Sequence, residues 1–133
     1  AHGPAGRVQI PIGANPQAIV VMARVNGSAP KRFILDTGAT YSCVSRELAA
    51  ELGLRPLPGQ SVGITTANGP VRAPKLRLDS VAVGGSVAHG VEATVMDLPP
   101  DAGFSGLLGL SFVNRFRLTL DPRAGVAVLE PLG

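Results

Sequence analysis

Four compact turn signals cut this chain of 133 residues into short apolar runs, and that punctuation constrains the fold to all-β. Asn26-Gly27, Asn68-Gly69 and Gly84-Gly85 each sit between extended residues, and Asp121-Pro122-Arg123-Ala124-Gly125 separates the last two runs. Asn-Gly and Gly-Gly supply the positive φ that a tight hairpin loop demands, so each predicts two antiparallel strands. The strands bounded this way are Ala18 to Val25 with Arg32 to Leu35, Val62 to Ala67 with Val71 to Leu78, Val81 to Val83 with Val87 onward, and Arg117 to Leu120 with Val126 to Leu129. Val91 to Met96 and Leu107 to Leu110 read as two more. Short strands at this spacing predict a closed or partly open β-barrel. With 17 Gly and 12 Pro the chain is rich in turns, and a hydrophobic share of 45% separates it from disordered sequences.

Two short helices interrupt the pattern. Ser45 is placed to cap Arg46 to Leu52, with Glu47 in the first turn and Gly53 as the stop. Ser111 is placed to cap a helical turn through Arg115. The length fits one domain, set at residues 17–133. Residues 1–16 read as an N-terminal arm or linker, whose apolar patch Val8 to Ile12 forms either a terminal strand or part of the arm.

The run Phe33-Ile34-Leu35 ends in Asp36-Thr37-Gly38-Ala39-Thr40. A carboxylate at the mouth of an apolar strand is costly unless donors surround it. Thr37 offers a hydroxyl and an amide, and Gly38 lets its N–H approach the carboxylate without a Cβ in the way. The arrangement suits an ionisable Asp facing a cleft.

Leu35-Asp36-Thr37-Gly38-Ala39-Thr40 resembles the active-site motif of aspartic proteases, in the single-domain, retroviral-type (retropepsin-like) branch. Ser105-Gly106-Leu107-Leu108-Gly109-Leu110-Ser111-Phe112 is similar to the element that closes the psi-shaped loop beneath the catalytic Asp of that family. Thr65-Thr66-Ala67-Asn68-Gly69-Pro70-Val71 lies where the family has its flap hairpin. The resemblance spans roughly residues 17–130 and implies an all-β, single-domain, closed barrel with a flap and one or two short helices. It implies an aspartic endopeptidase acting on an extended peptide or protein substrate, with no metal or cofactor. Asp36 would be the catalytic carboxylate, Thr37 its brace and Gly38 its orienting amide. Ala39 and Thr40 would line the cleft, and Thr66, Ala67, Asn68 and Gly69 would form the flap over the substrate. The sequence departs from the viral pattern at Leu110, where the viral enzymes carry an Arg, and at Thr40-Tyr41-Ser42, where they tend to be acidic. Its Ala-Asn-Gly-Pro flap resembles bacterial members. Many of those have an N-terminal membrane anchor, which implies a place in the cell envelope or periplasm and an anchor outside this chain.

This chemistry needs two carboxylates. Like charges at about 3 Å cannot both ionise, so the pair shares one proton; one member activates water and the other donates to the carbonyl. Asp79, Asp97, Asp101 and Asp121 sit in none of the required contexts. The economical source is Asp36 of a second molecule across a two-fold axis, hence a homodimer. The alternative is the same barrel as an inactive, monomeric module that binds a peptide or partner.

Other chemistries fare worse. A Ser–His triad needs a positioned base, and His2 lies in the terminal tail while His89 reads as a solvated loop residue. Two distant His with the single Cys43 make no metal-ligand set. Cys43 reads as a small packed hydrophobe. The net charge of +3 comes from scattered Arg, with Arg115 and Arg117 the one tight pair, and Trp is absent. Nucleic acid is therefore not an expected partner.

Overall fold

A computed structural model describes residues 7–12, 19–66, 68–99 and 101–132. Strand β1 is Val8–Pro11, so the apolar patch near the N-terminus forms a terminal strand, and Ile10 enters the core. Strand β2 (Ile19–Val25) buries every second residue, as a half-buried strand must. Asn26 and Gly27 then take φ of 54° and 75°, and the Ser28 N–H donates to Val25 O at 3.0 Å. That is the mirror-image turn the Asn-Gly pair predicts. The chain returns as β3 (Lys31–Leu35) and continues through β4 (Ser42–Ser45) into α1 (Arg46–Glu51). The Ser45 hydroxyl accepts the Leu48 N–H at 3.0 Å, so the predicted cap forms.

Then come β5 (Ser61–Thr66), β6 (Gly69–Val83), β7 (Ser86–Met96), β8 (Gly106–Leu108), α2 (Leu110–Val113), β9 (Phe116–Asp121) and β10 (Val126–Pro131). Strands pair in the order β2-β3-β8-β4-β7-β6-β5, and β6 also pairs with β2 through Arg24↔Ala82 and Val25↔Val81. That last pairing closes the sheet into a ring and leaves β5 as an extra strand outside it. Phe33, Val44, Leu76, Leu78, Val91 and Leu108 fill the core with almost no exposure. A separate sheet, β1-β10-β9, packs Ile10, Ala127 and Leu129 into the same core.

Several sequence expectations need correction. The runs read as separate strands, 71–78 with 81–83 and 87 onward with 91–96, are single continuous strands β6 and β7. The alternation does break between them. Leu76 and Leu78 are buried at even positions of β6, then Val81 and Val83 at odd ones. On β7 the buried set changes from Ser86 and Ala88 to Val91, Ala93 and Val95. The pairing skips Asp79 and Gly90, and Gly90 sits at φ 63°. A period-2 pattern changes face where backbone pairing lapses, and here it does so without ending the strand. The polar groups released at this flip are met elsewhere. Asn26 exchanges hydrogen bonds with Ser80, and Arg115 donates to His89 O at 2.9 Å and Gly90 O at 3.3 Å. His89, read as a loop residue, is an exposed position on β7.

The register of the β5–β6 hairpin pairs Thr66 with Gly69. Gly69 is thus the first residue of β6 and not half of a two-residue loop; its φ of 105° still calls for glycine. Residues 69–74 of β6 pair with β5, and residues from Lys75 onward pair with β7. The hairpin therefore projects from the ring on one half of a shared strand.

Candidate active site

Asp36 leaves the end of β3 with its N–H donating to Leu108 O at 2.9 Å, so the strand pairing of β3 with β8 extends to the carboxylate-bearing residue. The chain then turns tightly, with the Ala39 N–H donating to Asp36 O at 3.1 Å. The turn brings the Gly38 N–H to Asp36 Oδ1 at 3.0 Å, as the sequence reading expected of that glycine. A charge-assisted bond of this kind holds a carboxylate in one orientation.

Two glycines of the second motif explain why the loop sits here. A Cβ on Gly109 would lie 2.5 Å from Tyr41 O and 2.6 Å from Ala39 O. One on Gly106 would strike Cys43 O and the Phe33 ring. Both glycines let backbone cross backbone. Past that crossing the Leu110 and Ser111 N–H groups donate to Ala39 O at 2.8 Å and Thr40 O at 3.0 Å. The 36–42 loop is thereby fixed to β8 and α2 from both sides.

Ser111 does not cap α2, whose N-cap is Gly109 with no side-chain bond. Its hydroxyl instead enters a hydrogen-bond relay. The Ser111 hydroxyl donates to Glu92 O at 2.7 Å and accepts the Ser42 N–H at 2.9 Å. It lies 2.9 Å from Ser42 Oγ, which accepts the Gly109 N–H at 3.1 Å. Since the one Ser111 proton goes to Glu92 O, the Ser42 hydroxyl must donate to Ser111 Oγ. Ser42, fully buried, ties both motifs together. Sequence reading missed it because two serines 69 residues apart carry no local signal.

The resulting cleft encloses about 370 Å³ and is lined by Asp36, Gly38, Ala39 and Thr40, with Leu107, Cys43, Thr94 and Met96 on strands β8, β4 and β7. Asp36 is its only carboxylate among the described residues. Of the expected substrate-binding residues, Ala39 and Thr40 are in place. The described hairpin residues that reach the cleft are Gly63, Ile64 and Thr65 on β5, whereas Asn68 and Gly69 lie beyond its lining. Thr66 continues that strand, and Ala67 lies outside the described residues. Thr37 is exposed beside the cleft. A larger hollow of about 640 Å³, between α1 and residues 97–105, shares no residue with this cleft. Its Glu51 and Asp97 are ion-paired with Lys31 and Arg46. The smaller cleft is the one with chemistry to offer.

The sequence profile of the family described as Aspartyl protease matches residues 21–112, from β2 through α2, well over half of the chain. The chain belongs to the aspartyl protease family. Among solved structures, this aspartyl protease is similar to a retropepsin-like aspartic protease from Rickettsia conorii. The two share 27% identity and superpose with a TM-score of 0.69, over 93% of this chain and 89% of the other. No curated protein matches. The fold is retropepsin-like, as the sequence resemblance implied.

Cys43 borders the Asp36 cleft, with its Sγ–H donating to Met96 Sδ at 3.0 Å. Burial, opposed by a backbone hydrogen bond from Leu107 and reinforced by the Asp36 charge, pushes its thiol up to about 11. Thiolate is the reactive form, so native protein should resist iodoacetamide at pH 7.5, whereas urea-unfolded protein should label promptly. Equal labelling rates would contradict this. The raised value also fixes a sign. The buried neutral thiol contributes its full stability below about pH 9 and loses it progressively as pH climbs toward 11.

Proposed function

We propose that this chain is an aspartic endopeptidase whose working dyad is Asp36 of two molecules. The observation that carries this is a cleft with a single carboxylate, held by the Gly38 amide at 3.0 Å. One carboxylate cannot both activate water and protonate its target. A two-fold axis beside Asp36 supplies the second from an identical group. One Asp36 then takes a proton from water as it attacks the scissile carbonyl, and the other, protonated, donates to the carbonyl oxygen. The exposed Thr37 faces the second chain as a brace for the pair. Family membership and the likeness to the Rickettsia enzyme support this reading. The substrate is an extended peptide with apolar side chains against Leu107, Cys43 and Met96, and strand-like backbone bonds along the cleft.

The direct test is cleavage of an unfolded protein over a dilution series. Specific activity should fall as protein concentration passes below the dimer dissociation constant. Activity that stays flat down to the complete monomer rejects the shared dyad. Activity also needs one proton on the pair, so it should decline on the alkaline side; a pH–rate profile still rising at pH 9 would exclude a carboxylate dyad.

The β5–β6 hairpin acts as the lid, since Gly63, Ile64 and Thr65 already border the cleft. Gly69 has open space around its Cβ position but a φ of 105°. Gly69→Val therefore meets backbone strain and no clash, at a cost of about 1–3 kcal/mol. We expect kcat/KM to fall by more than the stability loss accounts for, because the strain distorts the moving element. Normal turnover in this variant would make the hairpin an ordinary surface connection.

A further inference from the structure

Glu92 on β7 touches two functional elements at once. Strand β4 pairs with β7 from Ala93 to Met96, and its first paired residue is Ser42, where the Asp36 loop ends. Glu92 lies just beyond that pairing, and its carbonyl accepts the Ser111 hydroxyl at 2.7 Å. The same hydroxyl accepts the Ser42 N–H at 2.9 Å, and the Ser111 N–H donates to Thr40 O at 3.0 Å. Thr40 lines the cleft with Asp36. The Glu92 main chain is therefore one bridging hydroxyl away from the loop that carries the carboxylate.

The Glu92 side chain leads the other way. Its Oε1 accepts from Lys75 Nζ at 3.2 Å. Lys75 is the residue at which β6 changes partners: Pro74 pairs with Ser61 of the hairpin, and Lys75 with Thr94 of the ring. The Lys75 N–H donates to Gln60 O at 3.3 Å, and its carbonyl accepts the Leu57 N–H at 2.8 Å, so the chain entering β5 is tied to the same residue. Just above it Arg72 donates to the Ser61 hydroxyl at 2.9 and 3.0 Å and to Ser61 O at 3.1 Å, which joins the two arms at their base. The choice of Lys75 is specific. Arg77 is the direct cross-strand neighbour of Glu92, yet its guanidinium lies over Gly90, where a Cβ would meet Nη2 at 2.9 Å. At 21% exposure Lys75 is also the most covered partner among the four ion pairs of the described residues. An exposed pair adds little to stability, whereas this one joins two backbones that are each already anchored.

We propose that Glu92 is a positioning residue: through Lys75 and Ser111 it sets the root of the β5–β6 hairpin against the Asp36 loop, so that one residue aligns the lid with the carboxylate. The inference rests on the reading of that hairpin as the lid and of Asp36 as the catalytic group. Glu92 itself touches no substrate, since it lies outside the lining of the cleft.

The test is a double-variant cycle read by kcat/KM on a peptide substrate and by amide hydrogen exchange. Glu92→Gln keeps the shape and the main-chain carbonyl but removes the charge, and Lys75→Met keeps the aliphatic stem. Each should lower kcat/KM about threefold to tenfold, with a melting temperature close to wild type. Both remove the same contact, so the double variant should lose no more than either single one. Lys31→Met, which breaks the pair with Glu51 on α1, is the control and should leave kcat/KM unchanged. In Glu92→Gln, exchange should quicken both in β5 and in residues 38–42. Unchanged kcat/KM in Glu92→Gln overturns the proposal. So do losses that add in the double variant, or faster exchange confined to the hairpin. Asp36-dependent cleavage with an indifferent Glu92→Gln would sink this inference and leave the proposed function standing. Wild-type protein that cleaves without Asp36 would sink the function, and the exchange pattern would still decide whether Glu92 links hairpin to loop.

Discussion

Asp36→Asn should remove measurable peptide cleavage and leave the fold in place. The amide has the same shape as the carboxylate and still accepts the Gly38 N–H, now 3.0 Å away, through its oxygen. It can neither take a proton from water nor hold the shared one. Acid–base catalysis of this kind contributes about 10²–10⁴-fold, so the residual rate should fall to background. Far-UV circular dichroism and the melting temperature should stay close to wild type, because Asp36 is only half-buried and its loop is held by backbone bonds to Leu108, Leu110 and Ser111. The sharper result comes from mixing. In the proposed dimer a working dyad needs two intact copies, so an equal amount of Asp36→Asn should capture roughly half of the wild-type chains in dead heterodimers. Activity per wild-type molecule should drop accordingly at concentrations where dimers exchange. If the mixture loses nothing, the carboxylates do not come from two molecules, whatever the single variant does.

Gly109→Ala should unfold the protein or leave it barely folded. Its Cβ would sit 2.5 Å from one carbonyl oxygen and 2.6 Å from another, both on main chain fixed by strand and loop bonds. No side chain can rotate away. Overpacking costs about 1–3 kcal/mol when side chains can adjust; here backbone must move, and we expect the upper end or beyond. Against a total stability of about 5–15 kcal/mol that is a large share. The same movement would shift Ala39 and Tyr41, so whatever folds should also be inactive. Gly63→Ala is the matched control. It has nothing within 4 Å of its Cβ position, and an exposed substitution of that kind should stay within about 0.5 kcal/mol of wild type. Urea denaturation of the two variants reads the difference. Equal midpoints would mean the crossing at Gly109 is looser than its geometry.

Much of this was legible in the residues. Asn26-Gly27 dictated its turn because few residues tolerate two successive positive φ values, and Ser45 dictated the start of α1 because its hydroxyl has a nearby amide to satisfy. The Asp36 loop and its Gly38 amide were legible because the interaction spans two residues. The motif residues 35–40, 65–71 and 105–112, taken in their order along the chain, carried the resemblance to the protease family.

Tertiary structure decided what depends on register and on residues far apart in sequence. Local alternation showed a break at Asp79 and Gly90 but could not tell a face change from a chain end; only the pairing of Leu78 with Val91 and Ser80 with His89 across it did. Ser111 looked like a helix cap because a serine before a helical turn usually is one. It serves Ser42 and Glu92 instead, since the amide of buried Ser42 and the Glu92 carbonyl arrive beside it from other strands. Register also moved Gly69 from the hairpin loop into β6 and set Gly63, Ile64 and Thr65 against the cleft. The sequence by itself determined which backbone turns were possible and where the carboxylate would sit. The three-dimensional fold decided which side chains meet around it, because a side chain's face and its neighbours are set by strand pairing, which no single stretch of chain contains.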